Sequence, residues 1–405
     1  MKAWGFKLYC CAILLIVSIP LLGTAANLIT NELFHKTFIN EAELSGSANV
    51  PAEPVLSLEA LKSGQFQSEF EDYFSYNLVA RKTQTRLYNQ LLYTLFHSTS
   101  NSDIVVGKDD YIFQIAYPTA YYKELSSNEI IALREKIEKL NRLAELLKER
   151  DVLMVVRMSP SKAQHYPEYL PSSYDRFFHM KQNGEYGPNW YQVFREEIEK
   201  TDILYYDRYD LIEDLKNNGE IAFTKGGIHW SLAPMAEYIN GLNALIEDNL
   251  GTKLGRMVVE SYEVKTGEMG ASADNDIWKL CWNTFYAPPN YPSPHISFGS
   301  TPGDAPLRVF TVGQSFTTVL LTTIYGVERP VWDETLFSWY NARVIQFPSE
   351  LPWGTQISEQ TDDYEKYLGM DVILIDFLEN GGGDIQFQFV ENMLNYLGEN
   401  PFSGK

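Results

Sequence analysis

The chain has 405 residues, of which 45% are hydrophobic and 14% aromatic, and its formal net charge at pH 7 is −20. A chain of this length and apolar content can build one large hydrophobic core or two modest ones. Its acidic balance argues against partners that are themselves anionic, namely nucleic acids and acidic lipid headgroups.

The N-terminal region contains an uncharged, largely apolar run at residues 8–30, preceded only by the charges of Lys2 and Lys7. The run is long enough to cross a bilayer, and the two lysines favour a cytoplasmic N-terminus. The alternative is a signal segment cleaved near the small residues 24–26. We therefore expect a single-pass cell-membrane protein with its C-terminal domain outside the cytoplasm, or a secreted protein if the segment is cleaved.

The next 70 residues show two changes of composition. Residues 40–57 are small, polar and proline-containing, as in a linker, and apolar residues then recur at helical spacing up to Leu95. We predict four segments, which are a membrane anchor or signal over 1–30, a linker over 31–58, an amphipathic helical segment over 59–100 and the main domain over 101–405.

The main domain alternates short apolar runs with amphipathic stretches. Such alternation predicts an α/β fold, in which a parallel sheet is covered by helices on both faces. In these sheets, functional residues gather at the carboxyl ends of the strands. The predicted strands are 152–156, 203–206, 307–312 and 371–375, and the clearest helices are 128–150 and 387–397.

A serine and a histidine stand out as candidate catalytic residues. Ser315 follows the strand 307–312 after Gly313 and Gln314, and glycine permits the sharp strand-to-helix turn that exposes a nucleophile. His229, in the segment Gly-Gly-Ile-His-Trp-Ser, could act as its base. This pair suggests acyl transfer, and the rival interpretations are a helix-capping serine and a structural histidine.

Several motifs together resemble the alginate O-acetyltransferase family (AlgX/AlgJ-like, DHHW-type), relatives of the SGNH hydrolases. The resemblance covers about residues 60–400. The matching segments, in chain order, are Val-Val-Gly-Lys-Asp-Asp-Tyr-Ile-Phe at 105–113, Ser-Pro-Ser-Lys at 159–162, Tyr-Pro-Glu-Tyr-Leu-Pro at 166–171, His229-Trp230 and Gly-Gln-Ser-Phe at 313–316. It implies an SGNH-like acyl-ester domain with Ser315 as nucleophile and His229 as base.

The chain departs from that family at two positions. Where the family has an acid two residues before the histidine, this chain has Gly227, and Gln314 replaces the acid beside the serine. A serine triad needs a group that holds the histidine tautomer and stabilises the imidazolium. The candidates for that orienting acid are Asp276, Asp207, Asp274 and Glu379.

Other residues could contact substrate or stabilise an oxyanion. Backbone groups near Gly313 and Gln314 could bind the oxyanion, Lys162 could orient substrate from a strand end, and Trp230 could stack on a sugar ring. Structural roles, as a surface lysine and a core tryptophan, are the rival interpretations. No histidine or cysteine spacing indicates a metal site, and no phosphate-binding loop is present, so we expect no cofactor.

These observations predict an extracytoplasmic O-acetyltransferase or acetylesterase that acts on a cell-surface or secreted polysaccharide through a serine acyl-enzyme. The resemblance implies a membrane-bound O-acyltransferase as the acetyl donor. The alternative, favoured by Gly227 and Gln314, is a catalytically impaired scaffold or glycan-binding component of a polysaccharide assembly. A simple esterase is the third hypothesis.

Overall fold

The computed structural model describes residues 3–34, 39–46, 50–265, 276–283, 292–303 and 306–399. The chain divides into two compact units, one built from residues 1–102 and 278–287 and the other from 103–277 and 288–405. The first unit contains the helices α1 (Ala3–Phe34), α2 (Leu58–Ser63), α3 (Gln65–Asn77) and α4 (Arg81–Phe96).

The second unit contains the strands of the described chain and most of its helices. Its strands are β1 (Ile104–Val106), β2 (Ile112–Gln114), β3 (Leu153–Ser159), β4 (Leu204–Tyr206), β5 (Met257–Lys265), β6 (Ser293–Ser300), β7 (Arg308–Gly313), β8 (Glu334–Trp339), β9 (Arg343–Phe347), β10 (Thr355–Ser358) and β11 (Val372–Leu378). The remaining helices are α5 (Ala116–Tyr121), α6 (Ser127–Lys148), α7 (Lys162–His165), α8 (Asp175–Gln182), α9 (Trp190–Ile198), α10 (Tyr209–Asn217), α11 (Met235–Leu250), α12 (Asp276–Leu280, which continues into the first unit), α13 (Ser315–Tyr325), α14 (Tyr364–Leu368) and α15 (Asp384–Tyr396).

The predicted membrane location is wrong, because no helix among the described residues combines the length and apolar character that crossing a bilayer requires. Residues 8–30 do lie within the single helix α1, but Pro20 and several polar or small residues interrupt the second half of the run. Protein contacts occupy part of that half. Thr24 accepts a hydrogen bond from the Val79 N–H at 2.9 Å, and the Asn27 side chain pairs with the backbone of Ile39.

A seven-stranded sheet forms the centre of the second unit, in the order β10-β9-β8-β7-β11-β3-β4. The five strands β8, β7, β11, β3 and β4 run parallel to one another, as the alternation of strands and helices predicts. The prediction of a wholly parallel sheet is corrected at one edge, where β9 and β10 are antiparallel. A short hairpin connection of three residues between β8 and β9 allows this, because parallel neighbours would need a long crossover.

Helices cover both faces of this sheet. On one face, Met154 and Val156 pack into a core shared with α6, α9 and α15. On the other face, Arg157 lies beneath the ring of Tyr238 from α11, and the Tyr238 hydroxyl donates to the backbone of β3. Alternate residues of β3 therefore face opposite layers, as the two-residue period of a strand requires.

Candidate active site

The nucleophile candidate lies where a strand turns directly into a helix. β7 ends at Gly313, Gln314 is extended, and α13 begins at Ser315. A side chain at Gly313 would overlap the Thr317 hydroxyl and lie 3.1 Å from the Asp376 Cβ, so only glycine fits this turn. Ser315 is thereby held partly exposed at the carboxyl edge of the sheet.

A buried polar network lies directly beneath this turn. Asp376, in the middle of β11, accepts hydrogen bonds from Thr317, from Ser159 at 2.9 Å and from Arg157 at 2.6 Å. Thr317 in turn accepts from the Gln314 N–H at 3.2 Å. Burial opposes the charge of Arg157, but the charge and hydrogen bond of Asp376, together with the neighbouring Tyr238 and Tyr206, outweigh burial and raise the pKa of Arg157. The network fixes the turn that carries the serine.

Sequence reasoning missed this network, although the chain contains a signal for it. Arg157 and Asp376 are charged residues that each interrupt an otherwise apolar run of a buried strand. A buried charge is costly unless it is paired. Two such interruptions in neighbouring strands would therefore indicate an internal ion pair, and the register indeed places Arg157 opposite Asp376.

The base candidate, His229, lies beside Ser315, although the two residues are 86 positions apart in the sequence. The His229 Nε2 lies 2.8 Å from the Ser315 Oγ, which is hydrogen-bonding distance. His229 sits in the loop between α10 and α11, and the neighbouring Trp230 forms a backbone bridge with Phe223. The ring of the fully buried Phe316 lies 4.5 Å from the imidazole, centroid to centroid. The histidine ring is thus positioned from both its backbone and its face.

Of the three acid candidates among the described residues, Asp276 is the one that lies beside His229. Its Oδ2 lies 3.9 Å from the His229 Nδ1, and its side chain is 46% exposed. Its Oδ1 accepts a hydrogen bond from the Ile228 N–H at 3.2 Å, in the residue before the histidine. Asp276 therefore contacts both the imidazole and the backbone of the histidine loop.

The other candidate acids serve different partners or lie outside the described residues. Asp207 accepts from the hydroxyls of Tyr191 at 2.8 Å and Tyr205 at 2.9 Å. Glu379 accepts from the Ser161 N–H at 2.7 Å and lies 3.2 Å from the His165 ring. Asp274 falls in the stretch 266–275, outside the described residues.

His165 forms a second histidine–carboxylate cluster that sequence reasoning did not single out. Its Nδ1 lies 2.6 Å from Glu213 and its Nε2 3.2 Å from Glu379, and the ring is fully buried. Burial alone would lower the pKa of His165, but the two carboxylates outweigh it and raise the pKa to about 9. The cluster is built to hold a buried imidazolium, and it ties α7 to α10 and to the end of β11.

Lys162 and Trp230 are buried, which corrects their predicted contact with substrate. The Lys162 Nζ donates to the carbonyls of Ile112 at 2.9 Å, Lys225 at 2.8 Å and Gly227 at 3.0 Å. Two of these carbonyls belong to the histidine loop, so Lys162 braces that loop from below. The Trp230 ring is 1% exposed and packs edge-on against Tyr238, so it presents no face to a sugar.

The hydrogen bonds of the serine turn limit which backbone N–H groups are available to bind an oxyanion. The Gln314 N–H already donates to Thr317. The N–H groups of Ser315 and Phe316 lie in the first turn of α13, where no carbonyl of the helix is within reach of them. These two groups lie at the positive end of the helix, beside the serine. Among the described residues, no three His, Cys, Asp or Glu side chains converge as ligands of a metal.

The fold and the site together define an α/β protein with a serine–histidine pair at the carboxyl edge of a mostly parallel sheet. Comparison with known proteins gives a sequence relative for about half of the chain. The "Probable alginate O-acetylase AlgJ" of Pseudomonas aeruginosa (strain PAO1) is 25% identical over 222 residues, which are 54% of this chain and 51% of AlgJ. The chain thus matches about half the length of this curated relative. No family model matches the chain.

Three of the solved structures that are similar to the chain share low sequence identity with it. They are the O-acetyltransferase domain of Pseudomonas putida AlgJ (14% identity, TM-score 0.40, 72% of this chain and 99% of that one), Pseudomonas aeruginosa AlgX (14%, 0.37, 78% and 70%) and Bacillus cereus PatB1 (10%, 0.40, 71% and 100%). The sequence match with AlgJ confirms the resemblance of this chain to the AlgX/AlgJ-like alginate O-acetyltransferase family.

Proposed function

We propose that this protein is a serine O-acetyltransferase or acetylesterase that acts on acetyl esters of a polysaccharide. The observation that carries the proposal is the 2.8 Å contact between the Ser315 Oγ and the His229 Nε2 at the N-terminus of α13. The relative AlgJ is named a probable alginate O-acetylase, which supports the same class of reaction.

The first half of the reaction transfers the acetyl group to the protein. The Ser315 Oγ attacks the acetyl carbonyl carbon while its proton passes to the His229 Nε2. The N–H groups of Ser315 and Phe316 bind the oxyanion of the tetrahedral intermediate. When the intermediate collapses, the bond to the donor oxygen breaks, the His229 imidazolium returns its proton to that oxygen, and an acetyl ester of Ser315 remains.

The second half passes the acetyl group to an acceptor. A polysaccharide hydroxyl loses its proton to His229 and attacks the acetyl-Ser315 carbonyl, which releases the acetylated polysaccharide and restores the serine. Water in place of the hydroxyl gives hydrolysis. Asp276 stabilises the imidazolium in both halves of the reaction, because the position where the family has an acid is Gly227 in this chain. The family resemblance makes a separate membrane-bound O-acyltransferase the proposed acetyl donor.

Covalent labelling tests the nucleophile directly. A fluorophosphonate probe is expected to modify the purified protein at Ser315, as located by peptide mass spectrometry, and to abolish its hydrolysis of p-nitrophenyl acetate. Ser315→Ala should remove both labelling and hydrolysis. Ser173→Ala, at an exposed serine outside the site, is the matched control and should change neither.

Two outcomes would contradict the proposal. Labelling that persists in Ser315→Ala would place the reactive group elsewhere. A wild-type protein that neither reacts with the probe nor hydrolyses the ester above the buffer rate would favour the alternative of a non-catalytic glycan-binding component.

A further inference from the structure

The turn between β8 and β9 presents an aromatic side chain next to the candidate nucleophile. β8 pairs in parallel with β7, so that Trp339 lies opposite Gly313, and the Tyr340 N–H donates to the Gly313 carbonyl at 3.0 Å. Ser315 is two residues beyond Gly313, which places its Cα within about 10 Å of the Tyr340 Cα. The turn therefore borders the same edge of the sheet as the serine–histidine pair.

The backbone conformation of this turn is unfavourable for the tyrosine it contains. The Ala342 N–H donates to the Trp339 carbonyl at 3.0 Å, and the two central residues, Tyr340 and Asn341, have φ values of 53° and 51°. Two positive φ values define a type I′ turn, whose central positions favour asparagine and glycine. Asn341 suits its position, whereas a bulky aromatic residue at Tyr340 is disfavoured. Such strain persists only where the surrounding structure imposes it, and strained residues cluster at active sites and ligand-binding positions.

Neighbouring contacts hold the turn in place. The Asn341 side chain donates to the Ile385 carbonyl at 2.8 Å and accepts from Ser338 at 3.2 Å. The Arg343 guanidinium lies 4.0 Å from the centre of the Trp339 ring, and the Tyr340 ring meets that tryptophan edge-on at 4.7 Å. Tyr340 nevertheless remains 41% exposed, so core packing does not account for a tyrosine at this strained position.

We propose that the Trp339–Tyr340 turn is an acceptor subsite, where the Tyr340 ring stacks on the apolar face of a pyranose ring of the polysaccharide. This inference rests on the proposed function and names where its polymer binds. An aromatic ring offers a rigid apolar surface with a polar hydroxyl at its edge, which suits the alternating C–H and O–H groups of a sugar. A sugar at Tyr340 would lie beside the one that reacts at Ser315.

The test compares a polymeric substrate with a small one that is too short to reach both positions. The probes are acetylated alginate, the polymer named for the relative AlgJ, and p-nitrophenyl acetate. In Tyr340→Ala and Tyr340→Asn, the ratio of kcat/KM for the polymer to that for the small ester should fall about tenfold, mainly through KM, which corresponds to the loss of one aromatic stacking contact. Tyr340→Phe keeps the ring and should retain the ratio.

Two further measurements separate binding from a structural role. Because asparagine suits a type I′ turn, Tyr340→Asn should also raise the melting temperature while the polymer preference falls. Tyr396→Ala, at a tyrosine of similar exposure on α15, is the matched control and should leave the ratio unchanged.

A wild-type ratio in both Tyr340→Ala and Tyr340→Asn overturns the subsite, as does a wild-type protein that hydrolyses the small ester through Ser315 but does not use the polymer. Failure of the proposed function is distinct from either result. It would appear as small-ester hydrolysis that Ser315→Ala does not reduce.

Discussion

Removal of the Asp276 charge is the sharpest test of how this site works. In Asp276→Asn the side-chain oxygen that accepts from the Ile228 N–H at 3.2 Å is kept, whereas the negative charge 3.9 Å from the His229 Nδ1 is lost. The substitution therefore separates the electrostatic role of Asp276 from its role in holding the histidine loop. Asp276→Ala removes both.

The separation of the two charges sets the expected magnitude. Two unit charges 3.9 Å apart interact by about 1 kcal/mol in bulk water and by about 4 kcal/mol at the effective dielectric constant of about 20 that suits sites near a protein surface. Asp276 is 46% exposed, so its stabilisation of the imidazolium should fall between these limits. Each 1.36 kcal/mol is tenfold in rate, so the loss should lie between about 5-fold and about 1,000-fold. For comparison, loss of the charge of a buried triad aspartate lowers kcat by about four orders of magnitude.

The assay measures kcat/KM for p-nitrophenyl acetate. The enzyme concentration is taken as the concentration of serine that reacts with a fluorophosphonate, so that misfolded protein does not lower the measured rate constant. The rate should fall further in Asp276→Ala than in Asp276→Asn, because the histidine loop then also loses the hydrogen-bond acceptor of its Ile228 N–H. Asp207→Asn is the matched control, since that carboxylate binds tyrosine hydroxyls instead, and it should retain the wild-type rate. A wild-type rate in Asp276→Asn together with a large loss in Asp207→Asn would refute the assignment of the orienting acid.

Three further substitutions probe the supports of the site. Gly313→Ala should lower both the melting temperature and the esterase rate, the latter at least about tenfold, because the new methyl group overlaps the Thr317 hydroxyl; unchanged values would contradict this. Lys162→Met leaves three carbonyls, two of them buried, without their donor and should lower the free energy of unfolding by about 3 kcal/mol in urea titrations, whereas Lys148→Met, at an exposed lysine, should change it by less than about 0.5 kcal/mol. The pKa of His165 is raised to about 9 in the folded protein, so its stabilisation is complete below its unfolded pKa of about 6.5 and is lost as the pH rises through about 9. The urea midpoint should fall across that range, and less steeply in His165→Gln; parallel curves would show that His165 does not carry the effect.

Local patterns in the chain were sufficient to predict much of the fold. Alternating apolar runs and amphipathic stretches predicted the parallel strands and their covering helices, because each pattern reflects a periodicity within a few residues. The same is true of the serine turn, where Gly313 and Ser315 directly follow an apolar strand. The membrane prediction failed for a related reason, since a count of uncharged residues does not register where proline and polar side chains interrupt a helix.

The composition of the site depended on contacts between distant parts of the chain. The sequence offered four acids for His229, and nothing local separated Asp276, 47 positions beyond the histidine, from Asp207 or Glu379. From the sequence, Lys162 could likewise be a surface lysine. Only the fold shows that the carbonyls of Ile112 and Gly227 surround its ammonium group. The packing of the backbone decides which partner groups lie within about 4 Å of an ionised side chain. The residues beside that side chain in the sequence do not encode this distance. The sequence alone therefore determined which chemical groups are present and on which elements they lie, and the tertiary structure decided which of them meet.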